Sequence, residues 1–313
     1  GKTVNRVVTL LLIIGLFAVV TGCDKGGEEA DVAQTTESET PEKPDFYPDA
    51  NPYRKLQGPA VDSLRVKKQR FNITRDEYWE VKGGVLANEY FEVWYPPGRT
   101  TVTHGMYMFE EIMPARQKYN ALFGAAPSEP LVIYIAHELE PYKEETGREW
   151  WYYSEMKNDT LIFVPVYTLY KRGISPIAVP HEYYQWAVRK TSQHGAPRWL
   201  EEGMASHLSG EGDLLFNHVP EFKELLEVVK TPEKVEEVLQ GEKERGNSRI
   251  AYYRSYRMVM ELIDTFGEDK VVGAIVEIGR GNTLDEAFEK ATGKSYAEIL
   301  EIASDYQVDL TKK

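Results

Sequence analysis

Cysteine is almost missing from this chain: Cys23 is the only one in 313 residues. A single thiol excludes an intrachain disulfide framework and a cysteine-based zinc ribbon. Excess positive charge is missing too. Thirty-seven Lys and Arg stand against 50 Asp and Glu, a net charge of −13. Such a chain lacks the clustered cations with which a protein grips nucleic-acid phosphates, so no nucleic-acid partner is expected. The apolar run at residues 7–20 has only 14 positions, short of the roughly 20 that span a bilayer as a helix. What the chain does have is 42% apolar residues and 20 tyrosines. That is the composition of a folded protein large enough to bury a core.

The apolar run follows Lys2 and Arg6 and ends in Val20-Thr21-Gly22-Cys23. Its length suits the h-region of a signal peptide, and its ending resembles the bacterial lipobox. The resemblance implies that residues 1–22 are removed and that Cys23 is lipidated. The product would be a membrane-anchored lipoprotein of the cell envelope, facing the periplasm or the exterior. Several acyl chains hold a protein at a membrane where one alone is marginal. Residues 23–46 carry eight acids, among them Glu28, Glu37 and Asp45, with Thr, Ser, Gly and Pro and little that is apolar. Such a segment buries too little surface to offset its ordering entropy. It reads as a tether, with a stretched reach on the order of 80 Å.

Residues 47–84 form a Pro-, Asp- and Arg-containing extension without a clear pattern, and residues 85–305 read as one α+β domain, followed by a short tail at 306–313. Strands are expected at 90–95, where apolar and polar residues alternate before Pro96-Pro97-Gly98, and at 131–135 and 160–164. Pro165 suggests a sheet edge or a strand end. Residues 102–124 have helical spacing and stop at Gly124. From Tyr167 onward the apolar period is mainly helical, so a small N-terminal sheet precedes a helical C-terminal part.

The chemistry-bearing segment starts at Pro180-His181-Glu182-Tyr183-Tyr184-Gln185. Pro180 suits the first turn of a helix. His181 and Gln185 are then one turn apart on one face, the spacing by which a helix offers two side chains to a single ion. Glu182 projects beside them, where a general base would sit. Twelve residues on, Pro197-Arg198-Trp199-Leu200-Glu201-Glu202-Gly203-Met204-Ala205 opens a second helix able to bring a carboxylate to the same point. Adjacent helical residues point about 100° apart, so Glu201 and Glu202 cannot both face the site. Tyr183, Tyr184 and Trp186 read as packing residues.

These residues resemble the gluzincin metallopeptidases, specifically the peptidase MA-like domain, in which an H-E-x-x-H helix precedes a P-R-W-[LF]-x-E-G-[LM]-A helix. The upstream strand-helix-strand-strand order is similar, and so are Ala251-Tyr252 and Ala287-Phe288 with Thr292-Gly293 downstream. The resemblance implies zinc held by His181, Glu202 and the residue at 185, with Glu182 as general base and the Tyr252 phenol stabilising an oxyanion. It implies an extended peptide as substrate. The strand at 160–164, through Leu161 and Phe163, would align that peptide by main-chain pairing. Glu202 is the family's ligand, which leaves Glu201 on a solvated face. His181 and Glu202 should then approach within about 6 Å, the separation allowed by ligand bonds of roughly 2 Å to one ion.

The sequence departs from the pattern at two points. Gln185 stands where the second zinc histidine belongs, and a neutral amide oxygen is a weak zinc ligand. Ser206 stands where family members often carry an acid that hydrogen-bonds a ligand histidine. The other histidines do not compensate: His194 and His207 have the wrong spacing, and His104, His137 and His218 sit in segments with none. Zinc is therefore expected to be weakly held or absent, and the site to be weakly active or inactive as a peptidase. Three functions stay open. They are an active zinc hydrolase using His181, Gln185 and Glu202, a non-catalytic lipoprotein that binds a peptide or protein, and a solute-binding lipoprotein that leaves the second-helix block unexplained.

Overall fold

The apolar runs become five short strands: β1 (Gly84–Ala87), β2 (Phe91–Tyr95), β3 (Leu131–Ile135), β4 (Ser154–Lys157) and β5 (Thr160–Phe163). The computed structural model describes residues 84–96, 101–149, 151–157, 159–217, 219–241 and 244–306, all within the unit 45–313. The expected signal peptide, Cys23, the tether and nearly all of the extension lie outside the described residues, as do residues 307–313. No helix among the described residues is long and apolar enough to cross a membrane.

The strands form one mixed sheet in the order β1-β2-β3-β5-β4. The central pairs β2/β3 and β3/β5 are parallel, and the outer pairs β1/β2 and β5/β4 are antiparallel. Parallel neighbours need a crossover, and α1 (Thr101–Phe123) supplies the one between β2 and β3. The chain then runs through α2 (Leu139–Thr146), β4, β5 and α3 (Val166–Arg172) to α4 (Ser175–Thr191) and α5 (Arg198–Ser209). After the short α6 (Gly212–Phe216) and a kinked 3₁₀ segment (Val219–Leu226) come α7 (Pro232–Gly241), α8 (Arg245–Phe266), α9 (Glu268–Gly279), α10 (Leu284–Thr292) and α11 (Tyr296–Ser304). This is an α+β fold with its sheet first and its helices after.

One expectation about bounds is corrected, and one pair of alternatives is decided. Helix α4 starts at Ser175, with Pro176 as the proline of its first turn, and Pro180 lies inside the helix. Having no N–H, Pro180 leaves the carbonyl one turn earlier without its helical donor, a loss confined to the helix's opening turns. Of the two readings of Pro165, sheet edge or strand end, the second holds: strand β5 is paired on both sides and ends just before it.

Helix α4 is buried along almost its whole middle. The Tyr183 ring is fully buried and meets Phe91 of β2 and Tyr119 of α1 edge-on, with ring centres 5.9 and 6.3 Å apart. Such contacts add roughly 0.5–1.5 kcal/mol each to simple burial, and they fix α4 against the sheet. Helix α5 begins at Pro197, whose side chain cannot cap. Glu236 of α7 does so instead, accepting the N–H of Arg198 at 3.0 Å and of Trp199 at 3.1 Å, and a carboxylate there is also favoured by the helix dipole. Helix α5 crosses α8 at Gly203, where a Cβ would collide with the Ser255 carbonyl oxygen and Val259. The glycine of the Glu-Glu-Gly-Met-Ala run is thus a packing requirement that holds Glu202 at its depth.

Candidate active site

A cavity of about 330 Å³ is walled by β4 at the edge of the described sheet, α4 from His181 to Arg189, α5 with the turn that follows it, and residues of α7 and α8. The i, i+4 spacing on α4 presents His181 and Gln185 on one face, and α5 brings Glu202 to meet them. His181 Nε2 lies 3.3 Å from Glu202 Oε2, well inside the expected range. The Gln185 amide nitrogen donates to Glu202 Oε1, and Arg198 Nη2 reaches the same oxygen at 3.4 Å. A carboxylate only accepts, so the nitrogen of the amide must be the end that faces it. All three residues expected at the site are buried together.

Glu182 is also buried in this cavity wall. Burial pushes its carboxyl up to about 7, against the pull of His181 and a hydrogen bond from Ser154. Tyr252 comes from α8 and lines the cavity, and its hydroxyl has no hydrogen-bond partner among the described residues. Burial first, and then Glu202, push this phenol well above its ordinary value. It is a proton donor at any ordinary pH.

Glu211 is the residue that sequence reasoning missed. Its Oε2 approaches His181 Nδ1 at 2.7 Å, although off the line of the ring N–H. The contact is therefore ionic rather than a directed hydrogen bond. Tyr153 donates to Glu211 Oε1 at 3.2 Å and Ser206 to Oε2 at 3.4 Å. Burial opposes charge on His181, but Glu211 and Glu202 on its two sides raise it well above the usual imidazole range. Burial likewise works against Glu211, yet His181 beside it holds its carboxyl low. The position at 206 is short of an acid, and Glu211 arrives from five residues further on. Gly210, left-handed at φ 76°, ends α5 and turns the chain back, so helical spacing cannot predict this return. The only signal available was an acid between two glycines, Gly210-Glu211-Gly212.

Three further expectations are corrected. Leu161 and Phe163 are fully buried on a strand with neighbours on both sides, so neither can align a peptide. The edge that borders the cavity is β4, with Ser154, Glu155 and Met156 in the wall. Glu201 is not on a solvated face: it is 2% exposed and is held by Arg189 Nη2 at 2.8 Å and Arg198 Nη1 at 2.9 Å. Of the other histidines, His207 turns away to pair with Glu268 at 2.7 Å.

A catalytic zinc ion takes three protein ligands and leaves one position open. The His181–Glu202 separation of 3.3 Å equals the edge of a tetrahedron built on bonds of about 2 Å, so these two side chains fit such an ion. Gln185 does not fit, because the end it presents is a donor without a lone pair. Among the described residues, no three His, Cys, Asp or Glu side chains are arranged to hold a metal. The set fits zinc at two points of three.

No curated protein matches the chain. The family described as the peptidase MA superfamily matches residues 114–301, more than half of the chain's length and every residue that lines this cavity.

Proposed function

The chain belongs to the peptidase MA superfamily, and from that premise we propose that it is a peptide- or protein-binding member whose metal site is degenerate, carried in the cell envelope on a lipid anchor at Cys23. One observation carries the reading. Glu202, the carboxylate that the family uses on its metal, already accepts from Gln185, Arg198 and His181. A zinc ion would have to displace these partners and would gain only an amide oxygen as its third ligand. The cleft itself is suited to a peptide. Among the described residues one edge of strand β4 has no neighbouring strand, so an extended segment can pair with it, and Tyr252 offers a phenol to a carbonyl oxygen within it.

The test is metal content together with binding. Protein purified without chelators should hold far less than one zinc per chain, and its binding to immobilised random peptides should be unaffected by EDTA. A stoichiometric metal with chelator-sensitive peptide cleavage would overturn the reading.

One observation favours a second reading, a weak hydrolase. Glu182 is buried beside His181 with its carboxyl at about 7, where a group can both take and return a proton. In that case His181 and Glu202 are the residues that would hold zinc, whose contribution would be to polarise a water. The anchor rests on Lys2, Arg6, the apolar run and Val20-Thr21-Gly22-Cys23.

A further inference from the structure

Five arginines line the cavity, and four of them are engaged with carboxylates of the protein. Arg148 Nε is 2.6 Å from Glu155, Arg189 and Arg198 hold Glu201 at 2.8 and 2.9 Å, and Arg245 stands 3.6 Å from Glu221. Arg249 has neither a hydrogen bond nor an ion pair with any described residue. The acids in the wall are spoken for as well. Glu155 serves Arg148, Glu202 accepts from Gln185 and Arg198, and Glu211 accepts from Tyr153 and Ser206 beside His181. Glu182 accepts from Ser154. None of these carboxylates forms an ion pair with Arg249, whose charge acts on Glu211 without direct contact.

A guanidinium stays charged at any working pH, and its planar fork matches the two oxygens of a carboxylate. Arg249 is half-buried on α8, one turn before Tyr252. Its charge is felt at Glu211 and at Tyr153, the residue that precedes β4. A peptide laid along β4 therefore passes a cation that no described side chain pairs with directly. Resting on the peptide-binding reading above, we propose that Arg249 is the specificity-determining residue of the cleft and that it takes a carboxylate of the bound peptide, supplied by an Asp or Glu side chain or by the C-terminus. On a chain of net charge −13, acidic ligands are repelled at long range, so a preference for them must come from such a local cation.

The experiment uses the full chain on two arrays of random nonapeptides, one attached through the N-terminus with free C-termini and one attached through the C-terminus. Wild type should favour Asp and Glu over Asn and Gln about ten-fold, or favour the free-C-terminus array by a similar factor, as a charge-assisted bidentate pair implies; the array that shows the effect identifies the source. Arg249→Ala should abolish the ratio, Arg249→Lys should keep part of it, and Arg280→Ala, on the exposed surface, should leave it as in wild type. Peptide binding with no carboxylate preference in wild type, or a preference that survives Arg249→Ala, overturns the proposal and leaves the peptide-binding reading standing. No binding to either array would sink both.

Discussion

Helix α5 meets α8 at Gly203, and replacing that glycine by alanine separates two opposing effects by sign. In a helix interior, Ala is favoured over Gly by about 1 kcal/mol. At this position, however, the new methyl collides with the Ser255 carbonyl oxygen and with Val259. One obstacle is main chain, which cannot rotate away, so the cost belongs near the upper end of the roughly 1–3 kcal/mol typical of overpacking. The net expectation is a loss of about 2 kcal/mol, or a fall in Tm of about 4–8 °C for a domain of this size. Gly273 is the matched control. It also lies within a helix, α9, but a Cβ there meets only Ala291 Cβ at 3.8 Å, an ordinary contact. Gly273→Ala should stabilise by up to about 1 kcal/mol. Urea unfolding followed by circular dichroism at 222 nm measures both. If Gly203→Ala is as stable as wild type, or more so, the close α5–α8 crossing is wrong, and with it the depth at which Glu202 stands.

Gln185→His places an imidazole one turn from His181 and should raise zinc affinity by more than the roughly ten-fold typical of a lost outer-shell partner. Titration calorimetry on wild type and variant decides this, and equal affinities would refute it. Arg254 is buried and donates to the Val229 and Leu226 carbonyls and to Tyr306 at 3.1, 2.6 and 2.9 Å. Arg254→Met should lower stability by about 2–4 kcal/mol by leaving those acceptors unpaired, and a change in the urea midpoint worth under about 0.5 kcal/mol would show that they find other donors. Cys23→Ala should release the protein from the membrane fraction or mislocalise it, and a variant that is still processed and sediments with membranes would exclude the lipid anchor.

Most of the fold was legible because its signals are local. Strands at 131–135 and 160–164, the helix ending at Gly124 and the face shared by His181 and Gln185 all follow from periods of two or 3.6 residues. What escaped depends on tertiary context. Strand β4, Ser-Glu-Met-Lys, shows no apolar alternation because one of its edges is free and its residues line a polar cavity. Missing β4 made β5 look like the edge and put Leu161 and Phe163 against a ligand. The 100° argument placed only one of Glu201 and Glu202 in the site, which is correct, but it took the other direction to be solvent. That direction is the α4–α5 interface, where Arg189 waits. Glu211 escaped for the opposite reason, since it lies past a helix end where no period applies.

Gln185 and Ser206, which break the family pattern separately in sequence, belong to one arrangement in space. Gln185 supplies a donor to Glu202 on the side where a histidine would offer a lone pair. Ser206, too short to reach His181 as an acid could, donates to Glu211, which reaches it. Around this point the carboxyls of Glu201, Glu202 and Glu211 face His181, Arg189 and Arg198, with Glu182 buried beside them. Burial pushes Glu201 up to about 8 and Glu182 up to about 7. An imidazole flanked by a carboxylate at each nitrogen favours its charged form, and His181 is raised accordingly. A dication entering among these groups would bring two further charges into a buried site at the expense of the contacts that now satisfy Glu202. Buried charge left over in this way costs several kcal/mol, enough to outweigh an amide oxygen as third ligand. Arg249 lines the same cleft without a hydrogen bond or ion pair to a described residue, and it is the cation proposed above to meet a carboxylate of the bound peptide.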